Sequence, residues 1–87
     1  MSNVEQTLID YHRARGDSKV RLRGEVLTPG GSLFLVRFYN DRGACYSSID
    51  TIDENGVVIE LNRCHQLDER KMLNAELRRK SHETDGQ

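Results

Sequence analysis

The sequence predicts an α+β domain: an N-terminal helix, a four-stranded antiparallel β-meander and a C-terminal helix, with both helices on one face of the sheet in a two-layer arrangement. Three observations carry this. Apolar residues recur with helical spacing at the two ends of the chain and with twofold spacing between them. The twofold stretches are separated by the turn signals Thr28-Pro29-Gly30-Gly31-Ser32, Asn40-Asp41-Arg42-Gly43 and Asn55-Gly56. Connections this short join neighbouring antiparallel strands, because parallel ones need a long crossover.

The first helix is expected from about Asn3 to Arg15. Ser2 and Glu5 have capping-box spacing, Val4, Leu8 and Tyr11 fall on one face with Ile9 beside them, and Gly16 supplies a left-handed stop. From Lys19, Val20, Leu22 and Val26 alternate with Arg21, Arg23 and Glu25, as a strand with one wet face requires. The second strand, Leu33 to Tyr39, is apolar on both faces and belongs in the middle of the sheet. Further strands follow over Ala44 to Ile52 and Val57 to Asn62, joined by Asn55-Gly56 read as a type I′ turn. Leu67, Asp68 and Met72 have the spacing of a hydrophobic staple, so the second helix begins near Glu69, carries Met72, Leu73, Ala75 and Leu77 inward and ends by about Ser81. Residues 1–81 form the single domain in this reading, and 82–87 a frayed polar tail.

The chain has 87 residues, 36% of them hydrophobic and 31% charged, which suits one modest core under a heavily charged surface. The formal net charge of −1 supplies no bulk field for nucleic acid or anionic lipid, so such binding needs a local patch. No apolar run has the length of a spanning helix and the first residues lack a secretory pattern, so no membrane partner and a cytoplasmic location are expected. Cys45 and Cys64 are read as free thiols.

Pleat parity assigns the faces. With Val26 opposite Phe34, Phe38 opposite Tyr46 and Ile52 opposite Ile59, one face gathers Val20, Leu22, Val26, Phe34, Val36, Phe38, Tyr46, Ile52, Val57, Ile59 and Leu61 for both helices to cover. The open face then mixes Leu33, Leu35, Tyr39, Ile49 and Val58 with Arg21, Arg23, Arg37, Glu25 and Glu60. Arg23 lies across from Arg37 in this register, a like-charge pair that calls for a nearby acid, for which Glu25 is the diagonal candidate.

No catalytic, metal or cofactor site is expected. Cys45, Cys64, His65, His12 and His82 lack metal-ligand spacing, and the neighbours Cys64 and His65 lack the base and oxyanion groups of a cysteine nucleophile. Asp50, Asp53 and Glu54 read as a solvated strand end and turn, Arg15-Gly16-Asp17 as a helix end, and Gly30-Gly31 as turn chemistry. The order helix, antiparallel strands, helix resembles the double-stranded RNA-binding domain in topology alone. Asp68-Glu69-Arg70-Lys71 departs from that family's lysine-rich helix start, and the number of strands differs.

The functional expectation is a small non-enzymatic binding module, a regulatory or inhibitory accessory protein acting through protein contacts of the open sheet face. Leu33, Leu35, Arg37, Tyr39, Ile49, Arg21 and Arg23 are its partner-binding residues. A homodimer is the simplest partner, and another protein is favoured over nucleic acid. The alternative is RNA or single-stranded nucleic acid held by Arg21, Arg23 and Arg37 with a base stacked on Tyr39.

Overall fold

The computed structural model describes residues 3–85, with side chains for 3–79. Helix α1 spans Val4–Ala14, strands β1 to β4 span Ser18–Thr28, Gly31–Tyr39, Cys45–Ile52 and Val58–His65, and a 3-10 turn at Gln66–Asp68 leads into helix α2, Glu69–Asp85. The strands form one antiparallel sheet in the order β1-β2-β3-β4, so the expected class, element order and meander are observed. No helix among the described residues is long and apolar enough to cross a membrane.

Local chemistry fixes the element ends. Asn3 is the N-cap of α1, with no side-chain cap bond; the Ser2 half of the expected capping box lies outside the described residues. Gly16 takes the predicted left-handed conformation after that helix, with φ +96°. The turn before β4 is closed by Asp53, whose Oδ1 accepts from the Asn55 and Val57 amides at 2.9 Å. Gly56 has positive φ there but Asn55 does not, which corrects the type I′ expectation. Leu67 is 78% exposed beside a buried Met72, so the expected staple is not made. Helix α2 passes the predicted stop at Ser81 and continues to Asp85, since no glycine or proline intervenes. Of the polar tail, 86–87 lie outside the described residues.

The register of β2 on β3 is as expected, with Phe38 opposite Tyr46. The outer strands depart from it because each is bulged. In β1 the pairing shifts between Leu22 and Gly24, leaving Arg23 as the extra residue, so Arg21 rather than Arg23 faces Arg37 and Val26 faces Leu33 rather than Phe34. In β4 the extra residue is Leu61, between Asn62 opposite Ile49 and Glu60 opposite Asp50, so Ile52 meets Val58 rather than Ile59. A one-residue shift exchanges the faces of every side chain beyond it. Val58 therefore joins the α1 side, Leu61 joins the other side, and Val57 and Ile59 remain exposed at 56 and 44%.

The helices cover opposite faces, which corrects the two-layer expectation. Leu8 of α1 packs with Phe34, Val36 and Phe38 of β2. Met72 of α2, with Leu73 and Leu77 against it, packs with Leu33 and Ile49. Adjacent strand residues point to opposite sides. The reason is the doubly apolar β2: with Leu33 and Leu35 on one side and Phe34, Val36 and Phe38 on the other, a single covered face would leave one set in water. Burying a side chain of this size contributes about 1.5–3 kcal/mol.

Candidate functional site

On the α2 side of the sheet, Met72 and its neighbours cover one half and leave the other basic. Arg21, Arg37, Ser47 and Cys64 lie side by side across β1 to β4, and Tyr39 pairs with Cys45 in β2 and β3. Beside this row is an open concavity of about 310 Å³ lined by Lys19, Arg21, Arg37, Tyr39 and Cys45. Among the described residues no carboxylate lines it. Lys19 is brought there by strain. It is the one non-glycine residue with positive φ among the described residues, +51°, and sits in a second bulge of β1 between Ser18 and Arg21. An irregularity of this kind re-aims a side chain, and the Lys19 ammonium lies over the Tyr39 ring, 5.5 Å from its centroid.

The acid demanded by the paired arginines is Glu69, the first residue of α2, and not Glu25. Glu69 Oε1 accepts from Arg37 Nη2 at 3.0 Å and from Ser47 Oγ at 2.6 Å. Burial alone would raise the Glu69 carboxyl, but the bonds from Ser47 and Arg37 and the charges of Arg37 and Arg23 hold it below the usual carboxylate range. Glu25 accepts instead from Ser32 Oγ at 2.7 Å. Glu69 thus neutralises Arg37, while Arg37 Nε is buried with no hydrogen-bond partner among the described residues. Lys19, Arg21 and Arg23 make no ion pair among the described residues.

The predicted interface residues are therefore divided. Arg21, Arg37 and Tyr39 come together at the concavity, and Arg23, displaced by its bulge, flanks it without lining it. Leu33 and Ile49 are 3% and 0% exposed and Leu35 packs beside them under α2, so the apolar centre of the expected open face is core. This is a correction, and its cause is the placement of α2.

A second cluster lies on the α1 side. His12, fully buried, places Nδ1 2.9 Å from Asp17 Oδ2 and Nε2 2.7 Å from Asp50 Oδ2. An ionised carboxylate only accepts, so with Asp17 and Asp50 both ionised the two ring nitrogens donate and the ring is an imidazolium. Burial works against that charge, but the bonds to Asp50 and Asp17, with the charges of Asp50 and Glu60, outweigh it and hold the His12 pKa above its ordinary value. Ser48 Oγ donates to Asp50 Oδ1 at 2.9 Å. Arg63 donates to Asp17 Oδ2 at 3.0 Å and to both oxygens of Glu60 at 2.8 and 3.1 Å. Phe38 stacks on the His12 ring at 4.6 Å and carries the Arg63 guanidinium at 4.5 Å, which joins the charges to the core.

His12, Asp50 and Glu60 offer ligand atoms within 4.8 Å of one another, a donor set of the kind that holds a divalent ion. The hydrogen bonds answer the fit: both nitrogens of His12, both oxygens of Asp50 and both of Glu60 already have protein partners. The cation of this site is the proton on His12, and a metal would have to break that network. Cys45 and Cys64 are free thiols outside it, the Cys64 thiol being pushed up by burial and by Asp68 and Glu69.

The sequence carried a signal for this cluster. Ser48 and Asp50 share pleat parity with Tyr46 and Ile52, so a serine and an aspartate fall on an expected core face, and His12 follows Leu8 by one helical turn. Asp50, read as a solvated strand end, is completely buried, and Asp17 of Arg15-Gly16-Asp17 faces inward to His12 and Arg63. Comparison with protein-family models, curated proteins and solved structures finds no match to this chain.

Proposed function

We propose that this protein is a small non-enzymatic binding module that holds single-stranded nucleic acid at the basic end of its sheet. The observation that carries this reading is the convergence of Lys19, Arg21 and Arg37 with the half-exposed Tyr39 on one concavity that, among the described residues, no carboxylate lines. Phosphates are held by such cations, and a tyrosine face accepts any base. The protein-contact reading of this face depended on Leu33, Leu35 and Ile49, which lie beneath α2. A binding role is favoured over a catalytic one because the buried histidine has no free lone pair and is closed off from solvent.

The test is fluorescence anisotropy with a short labelled RNA or DNA strand over a range of salt. Contacts from Lys19, Arg21 and Arg37 give a slope of log affinity against log salt of roughly −2, at about −0.7 per phosphate of a single strand. Arg21→Glu abolishes binding and Arg23→Glu weakens it. Absence of binding at low salt refutes the proposal.

Contact with another protein, or with a second copy of the chain, is the second reading. It draws support from the exposed apolar side chains Val57, Ile59 and Leu67, near the β4 edge and its exit. Light scattering at rising concentration tests the homodimer, and a constant monomer mass refutes it.

A further inference from the structure

We infer that the basic pocket takes the terminal phosphomonoester of a nucleic-acid strand rather than a run of internal phosphodiesters. The inference rests on the nucleic-acid reading above and concerns which part of the strand is held.

Shape is the first argument. A protein that follows a strand presents cations spaced along a groove. Here Lys19, Arg21 and Arg37 surround one concavity, and the basic field ends toward α2. Across the sheet the row continues through Ser47 to Cys64, above which stands Glu69. A chain of phosphodiesters leaving the pocket toward Glu69 would meet a carboxylate. A strand that ends in the pocket would not.

Charge is the second. An internal phosphodiester carries a single negative charge, whereas a phosphomonoester carries about −1.5 to −2 near neutral pH and offers three acceptor oxygens. Lys19 and Arg21 have no ion-pair partner among the described residues, and the third cation, Arg37, is already neutralised by Glu69. The pocket therefore holds an excess of two cations, the charge of one terminal phosphate. Its volume of about 310 Å³ exceeds the ~30 Å³ share of a water by tenfold and admits a phosphate with part of its nucleoside.

The strained Lys19 is the third. A left-handed lysine costs on the order of 1–3 kcal/mol, and such strain gathers where a side chain must be aimed. The conformation brings the ammonium over the Tyr39 ring at 5.5 Å, beside the face on which the terminal base would stack.

The experiment compares one labelled single strand carrying a 5′-phosphate, a 3′-phosphate or hydroxyls at both ends, by anisotropy at constant salt. One phosphorylated end binds about tenfold tighter than the hydroxyl strand, the factor that one further charge-assisted hydrogen bond supplies. Arg21→Gln and Lys19→Gln, both on the exposed surface, remove that preference while the circular dichroism stays native, and inorganic phosphate competes with the phosphorylated strand. Equal affinity for the three strands overturns this inference and leaves the single-strand reading standing. Failure to bind any of them overturns both. A phosphotyrosine peptide that binds more tightly than every strand overturns the nucleic-acid end in favour of a phosphoprotein.

Discussion

Replacing His12 by leucine tests the buried cluster, because it removes the central cation and nearly preserves volume. In the variant Asp50, with no exposure, keeps only Ser48 as donor, and Asp17 keeps only Arg63. Breaking a buried ion pair by removing one partner costs about 3–5 kcal/mol. A chain of 87 residues has a total stability of roughly 4–13 kcal/mol. The loss is therefore about a quarter or more of the whole, and the melting temperature falls by roughly 12–40 °C at about 4–8 °C per kcal/mol. Urea titration followed by circular dichroism measures it. The double variant His12→Leu/Asp50→Leu removes the stranded charge as well and recovers about 1–3 kcal/mol relative to the sum of the single variants.

The same group fixes a pH dependence. The His12 pKa in the folded protein lies above its ordinary value of 6.5. Its contribution is fully present below that value and is lost as pH rises through the folded pKa. Wild-type stability should fall over that alkaline window, and the fall should be missing from His12→Leu. A loss under about 1 kcal/mol, additive single variants, or a wild type indifferent to this titration would refute the argument.

Two further predictions follow from the packing. Ile49→Glu places a charge in the cluster of Leu33 and Met72 and should unfold the domain or expose it to proteolysis; a well-folded variant that merely changes oligomeric state would restore the open-face interface. Gly16→Ala should lower stability by about 1 kcal/mol because φ there is +96°, whereas Gly24→Ala, whose added Cβ meets nothing within 4 Å, should be neutral or stabilising by up to about 1 kcal/mol in the same melts.

The strands and their order were legible because turn chemistry is local. Pro29-Gly30, Asn40 to Gly43 and Asp53 to Gly56 each close a hairpin with their own backbone or side chains. The faces were only partly legible. Parity propagates a register until a bulge resets it, and Arg23 and Leu61 reset it in β1 and β4. Gly24 inside an otherwise regular strand was the available sign for the first; Leu61 has no such marker. The side taken by α2 was foreshadowed in the two apolar faces of β2. The arginines and Tyr39 were legible as a group because side chains of one parity share a face. Lys19 was not, since its place in the pocket depends on a backbone conformation that no lysine announces. The counter-charge was foreseen as a need, but its owner lies 32 positions from Arg37, where only tertiary structure could bring it.

The bulges also bear on how the molecule meets its own copies. A meander has two open edges, here β1 and β4, and an unbroken row of free amides and carbonyls on either would invite a second chain to extend the sheet. Every irregularity in the pairing falls in one of these two strands, while β2 and β3 pair without a shift. A bulge twists the strand and interrupts the ladder, so an incoming strand can match only part of the edge. Lys19, Arg21 and Arg23 add like charge along β1, where a second copy would bring the same three. The deviation that defeats a simple parity count thus also keeps the sheet finite.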